Sequence, residues 1–168
     1  DSGAGEVVLL DPECYRMFRT RYARFDAPLP GGVNVFHVSD WLRTKSEKER
    51  WIWKKRKETY TYHDPSALAR FMEVHESPRR VLEAIFDRQP SEMFGNRRKA
   101  CSCGESGGML LTNPEIAREA AARRYEQAVR TGAELLITSS PSCASLLSEV
   151  KGGSLPVLDL VELIAEGI

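Results

Sequence analysis

Residues 113–143 read NPEIAREAAARRYEQAVRTGAELLITSSPSC. Asn113 is a helix-capping residue, Pro114 suits a first helical position, Glu115 puts an acid in the first turn and Gly132 is a terminator, so a helix is predicted over 113–132. ELLIT (134–138) is a short apolar run of the kind a buried strand shows. Ser-Pro-Ser-Cys then leads into CASLLSEV (143–150), a second helix. Helix, buried strand and helix in this order are the repeating element of a parallel α/β sheet.

The same alternation runs through the rest of the chain. EVVLL (6–10), VNVFHV (33–38), TYTYHD (59–64) and LPVLDL (155–160) read as strands, with a short one near SEMF (91–94). Helices are expected over 14–25, 39–51 with Ser39 as its cap, 67–75, 78–86 and 161–168, and APLPGG (27–32) is a loop. The expected fold is α/β, a mostly parallel sheet with flanking helices. There is also an internal repeat. EVVLLDPEC (6–14) echoes ELLITSSPSC (134–143), and VNVFHVSDWL (33–42) echoes LPVLDLVELI (155–164).

Composition narrows the function classes. At 168 residues with 42% apolar residues, the chain can bury a full core. Its 24 basic and 24 acidic residues balance, which argues against a nucleic-acid partner. No apolar run approaches the roughly 20 residues of a membrane span, and no secretory leader is recognisable. The chain opens DSGAG without Met, which suggests a processed chain or a piece of a longer one. Four cysteines are too few for a disulfide scaffold and fit thiols or metal ligands.

Their placement carries the chemistry. Ligands of parallel α/β sheets collect at the carboxyl ends of the strands. Cys14 follows 6–10, Cys143 follows 134–138, and Cys101 and Cys103 follow the short strand expected near Met93. Four thiolates on one edge suit a tetrahedral zinc ion or an iron–sulfur cluster; buried unreactive thiols are the plainer alternative. Beside them, His63 and Asp64 could move protons or hydrogen-bond a ligand, although a turn with Asp64 capping the next helix is the simpler reading. Glu105 reads as solvated, and RTKSEKERWIWKKRKE (43–58), with Trp51 and Trp53, as a charged face or a docking surface. No Ser-His-Asp order or nucleotide-binding glycine loop is present.

The runs YHDPSALARFMEVHESPRRVLEAI (62–85), CSCGESGGM (101–109) and residues 113–143 together resemble the cysteine-rich domain found in the B and D subunits of the heterodisulfide reductases. The same domain occurs in glycolate oxidase, lactate utilisation and glycerol-3-phosphate dehydrogenase iron–sulfur subunits. The resemblance implies a Rossmann-like cysteine-rich fold. It implies that residues 1–58 are the tail of a first cysteine-rich unit plus a connector, and 59–168 a second unit packed with it as one domain. A missing amino-terminal domain would precede them.

The family motif is incompletely kept. Ser66 stands where the family has the Cys after His-Asp-Pro, Ser102 and Cys103 where it has Cys-Cys, Ser140 and Cys143 where it has Cys-Pro-x-Cys, and Asp11 where the first unit has Cys. Serine is a poor iron ligand because its hydroxyl ionises far above a thiol. The resemblance therefore implies an ordinary four-thiolate site of Cys14, Cys101, Cys103 and Cys143, holding an iron–sulfur cluster of the [4Fe-4S] type, or zinc. The implied role is electron transfer in an oxidoreductase complex, as the carboxyl-terminal part of one of its subunits. Its partners would be a flavoprotein, a ferredoxin-like subunit or a membrane quinone-reactive subunit, in the cytoplasm or at its membrane. The competing expectation is a cofactor-free docking domain of such a complex.

Overall fold

The computed structural model describes residues 3–26, 29, 31–150 and 152–166; parts of the expected 27–32 loop and the end of the expected 161–168 helix lie outside them. The α/β class is as expected, but the strands form two small parallel sheets instead of one. In the first, β1 (Glu6–Leu9) pairs with β2 (Asn34–His37), Val7 opposite Val35. In the second, β4 (Leu135–Thr138) lies between β3 (Tyr60–His63) and β5 (Val157–Asp159).

Side-chain alternation along a strand sorts the core into layers. Tyr60 and Tyr62 of β3 and Leu135 and Ile137 of β4 face one cluster. There they meet Leu42 of α2 (Val38–Glu49), Leu82 and Phe86 of α3 (Glu76–Phe86) and Leu163 of α7 (Leu160–Ala165). Leu136 of β4 faces the other side, against Ala121 and Tyr125 of α5 (Pro114–Val129), which follows the short α4 (Met109–Thr112), and Leu147 of α6 (Pro141–Ser148). A third, smaller cluster places Tyr15 of α1 (Pro12–Thr20) and Val35 on Leu68. The two sheets thus share helices: α2, which follows the first sheet, helps cover the second.

The repeat read in the sequence is visible in how the helices begin. Asp11 accepts a hydrogen bond from the Cys14 amide at 2.9 Å, and Ser140 accepts one from the Cys143 amide at 3.3 Å, each with proline at the first helical turn. These caps start α1 and α6 two residues earlier than the expected 14–25 and 143–150, because Pro12 and Pro141 already fit helical φ. One helix on, His37 caps α2 and Asp159 caps α7, the latter with Glu162 in a reciprocal capping box. The cap of α2 is therefore His37, not Ser39; Ser39 donates its amide to His37 Nδ1 at 3.3 Å.

Other boundaries moved for local reasons. Residues 67–71 form a π-helical turn, and 22–25 a 3-10 turn after α1. Residues 91–94 form no strand: Ser91 donates to the Tyr60 carbonyl at 2.8 Å, but Glu92 then turns its side chain to Arg79 and the pairing stops. The charged stretch leaves its helix at Glu49, and beyond it Trp51 packs edge to face between Trp41 of α2 and Trp53. Among the described residues no helix is long and apolar enough to cross a membrane.

His37 makes the fold pH-sensitive. Its buried ring donates from Nε2 to the Leu10 carbonyl at 3.2 Å, and burial lowers its pKa from 6.5 to about 4. The unfolded chain therefore binds the extra proton, and the ring's contribution is complete above about pH 6.5 and lost as pH falls toward 4. His37→Asn keeps a capping side chain and removes the titration. Urea unfolding across that range is expected to show wild-type stability falling relative to the variant by about 3 kcal/mol. A constant difference would mean the folded ring takes up its proton normally.

Candidate functional site

The site is organised from the end of β3. Asp64 does not cap the following helix. Its buried carboxylate accepts Arg79 Nη1 and Nη2, both at 2.8 Å, and the Arg97 amide at 2.8 Å. The Arg79 guanidinium is itself buried, and it also reaches Glu92 from Nε at 2.8 Å and the His75 carbonyl at 2.6 Å. A charge removed from water costs several kcal/mol unless its hydrogen bonds are completed, and here both partners are. The pair thereby ties α3 to the segment that carries the two neighbouring cysteines.

That segment is shaped by two glycines. Gly95 (φ +64) leaves room for Cys101 Sγ, which a side chain at 95 would meet at 2.7 Å. Gly104 (φ +92) lies against the backbone of α5, where an added Cβ would come within 2.3 Å of the Ala117 carbonyl oxygen. Small buried residues on α5, Ala117 and Ala121, permit this approach. Cys103 is thereby delivered into the core beside Cys143, in the first turn of α6.

The two sulfurs lie 3.2 Å apart, both buried, with no disulfide between them. One nitrogen of the buried His63 ring completes the group, all three ligand atoms lying within 4.8 Å of one another. The S–H of Cys143, then the His63 ring and the Glu105 amide, favour the thiolate of Cys103 and bring its pKa down to about 4 against the opposing effect of burial. The shared proton stays with Cys143, whose pKa is pushed well up by the neighbouring Cys103 and by its own burial. These surroundings favour a thiolate–thiol pair.

Behind His63 stands Arg124 of α5, fully buried. Its Nε donates to His63 Nδ1 at 3.1 Å, and its Nη1 to the Phe94 carbonyl at 2.9 Å and to Gln127 at 2.7 Å. Burial lowers its pKa, opposed by the charges of Cys101, Asp64 and Cys103. Among the described residues, His63 Nε2 and Arg124 Nη2 are buried without hydrogen-bond partners.

Of the four cysteines expected to act together, only Cys103 and Cys143 meet. Cys101 is half-buried two residues before Cys103, and Cys14 is exposed in the first turn of α1; neither joins the three-residue group. The halves are nevertheless adjacent, since Ser142 donates to Asp11 Oδ2 at 3.3 Å. The Cys14 side is acidic. Slight burial and then the Asp11 carboxylate raise the Cys14 pKa, and burial raises that of Glu105. Glu105 is thus half-buried, not simply solvated. Arg124 is the site residue that the sequence did not single out, because on a helix rich in arginine nothing marks the one that points inward.

The close approach of Gly104 gives a direct test. Gly104→Ala places a methyl group against backbone in a left-handed conformation, so the loop must withdraw from α5. A loss of about 3 kcal/mol in unfolding experiments is expected, together with faster alkylation of Cys103. Gly5→Ala, in open space, is expected to change neither. Unaltered stability and thiol protection in Gly104→Ala would show that the loop is not held by this contact.

Residues 60–148 match the CCG cysteine-rich domain family. Over 99% of its length the chain is 30% identical to the D subunit of the dihydromethanophenazine:CoB–CoM heterodisulfide reductase of Methanosarcina mazei, covering 41% of that protein. It is 29% identical over 97% of its length to the Bacillus subtilis protein named "probable iron-sulfur-binding oxidoreductase FadF", covering 23% of it. It is 26% identical over 96% of its length to the B subunit of the CoM/CoB fumarate reductase of Methanothermobacter marburgensis, covering 32% of it. The chain spans less than half the length of these curated relatives. The matched segment runs from β3 through α6 and includes His63, Cys101, Cys103 and Cys143, and on it the chain belongs to the CCG cysteine-rich domain family.

Proposed function

We propose that this chain is an iron–sulfur electron-transfer module, the carboxyl-terminal part of a heterodisulfide-reductase-like subunit in a multi-subunit redox complex. The observation that carries the reading is the buried pair Cys103–Cys143, unbridged at 3.2 Å, in surroundings that favour the thiolate of Cys103. Thiolates are the ligands that iron–sulfur clusters require, and this pair would supply two of them. Cys103 and Cys143 would be the inner ligands. Cys101, from the same loop, and Cys14, across the Asp11–Ser142 contact, would supply the remaining two thiolates of a [4Fe-4S] site. A bound cluster supplies one-electron redox chemistry.

The chain's own groups have defined work in this reading. The Glu105 amide and the Cys143 thiol favour charge on Cys103, and the Asp64–Arg79 pair keeps the loop in place. The relatives named as reductase subunits support partners that bring electrons, such as a flavoprotein, a ferredoxin-like or a membrane quinone-reactive subunit. Phe94 and Leu111, before and after the cysteine loop, are exposed and would meet such a partner. The assembly would work in the cytoplasm or at its membrane. Residues 1–58 would be the tail of a preceding cysteine-rich unit and 59–168 the second.

A second reading, zinc in place of the cluster, is favoured by distance alone, two sulfurs and a ring nitrogen lying within 4.8 Å of one another. Metal and acid-labile sulfide analysis of anaerobically purified protein separates the two. Iron and sulfide in equal amounts are expected, with loss of both and of visible absorbance in Cys103→Ser and in Cys143→Ser. Zinc without sulfide would establish the second reading. Protein that holds neither metal after reconstitution would leave a cofactor-free docking domain.

A further inference from the structure

His63 looks like a metal ligand by distance, but its hydrogen bonds say otherwise. A guanidinium has donors only. Arg124 Nε sits 3.1 Å from His63 Nδ1, so the lone pair of Nδ1 is engaged and the hydrogen of the neutral ring lies on Nε2. Neither nitrogen then has a lone pair to offer a metal. Metal-bound histidines show the reverse pattern, in which the second nitrogen donates to a carbonyl or carboxylate. The same consideration applies to Arg124 Nη2. Both unpartnered atoms are donors, both are buried, and they stand on the side of the sheet that holds the Cys103–Cys143 pair.

A buried donor without an acceptor is destabilising, the more so when it is charged. The nearest sulfurs, those of Cys103 and Cys143, lie within 4.8 Å of a ring nitrogen but leave Nε2 without a hydrogen bond, so the electron-rich sulfurs of a bound group would supply the missing acceptor. Resting on the function proposed above, we infer that His63 and Arg124 are not ligands but a pair of anion-facing donors. His63 Nε2–H and Arg124 Nη2–H would point at the electron-rich sulfurs of a thiolate-ligated cluster, with Arg124 also setting the tautomer of His63. Hydrogen bonds to cluster sulfurs and nearby positive charge favour the more negative, reduced state, so the pair raises the reduction potential. This gives Arg124 a positioning role that neither its exposed neighbour Arg123 nor the surface arginines of α5 can share, because Arg123 is engaged at the surface by Glu119.

Two measurements on the full-length protein test this. The first is nitrogen NMR of histidine-labelled, metal-free protein, with His63 assigned by its loss in His63→Gln. The expected ring carries its hydrogen on Nε2, and Arg124→Met shifts the population toward Nδ1–H. A wild-type ring with its hydrogen on Nδ1 overturns the inference. The second is made on cluster-loaded protein. His63→Gln and Arg124→Met are expected to keep the wild-type iron and sulfide content, with only weak nitrogen coupling in pulsed EPR of the wild type. The potential of Arg124→Met is expected to fall by about 59 mV, a tenfold change in the one-electron equilibrium.

Strong nitrogen coupling that disappears in His63→Gln, or loss of iron in that variant alone, would make His63 a ligand and overturn the inference. So would an unchanged potential in Arg124→Met. Should Arg124→Met fail to fold, the wild-type ring alone decides, and a hydrogen on Nδ1 overturns the inference. A wild-type protein that assembles no cluster sinks the proposed function, while the tautomer measurement still decides whether His63 is a donor.

Discussion

The carboxylate of Asp64 is the point on which the site hangs. It takes both terminal nitrogens of Arg79 on one side and the Arg97 amide on the other. An ion pair so deeply buried is not retained for net stability, since desolvation of both charges offsets most of their attraction. What it contributes is position. β3, α3 and the segment leading to Cys101 and Cys103 cannot separate without stranding a charge. Glu92 and the His75 carbonyl complete the guanidinium's hydrogen bonds, which removes any cheaper alternative geometry. The residue before it, His63, ends β3 on the side of the sheet that meets α5 and α6. One dipeptide thus anchors the loop and furnishes the ring at the sulfur pair.

The two halves of the repeat show how one local device serves different ends. Both begin a helix with a side-chain cap, proline and a cysteine in the first turn. In the second half the cap is neutral Ser140 and the cysteine is buried beneath a glycine loop. In the first half the cap is anionic Asp11, and the cysteine is exposed next to it. A carboxylate beside a thiol disfavours the thiolate; a buried thiol, an imidazole and a backbone amide favour it. The chain therefore presents one electronically prepared thiolate and one that is not.

Helix and strand identities were legible in the sequence because capping, proline placement and apolar runs act within a few residues. The strand–turn–helix with Pro-x-Cys, the helix of 114–129 and the repeat all follow from such local rules. The placement of Cys14 and Cys143 just after a strand follows from the same local rules. The division into two sheets was not legible, because strand partnership is decided by distant residues. Nor was the absence of a strand at 91–94, where Glu92 is drawn off by Arg79, thirteen residues earlier. Tertiary structure alone decided which thiols meet: Cys103 reaches Cys143 only because Gly104 lets the loop lie on Ala117. It alone decided that Arg124, one of several arginines on its helix, turns inward to hold His63. A sequence states which donors and acceptors a chain owns. Burial determines which of them lose water, and only those must find each other.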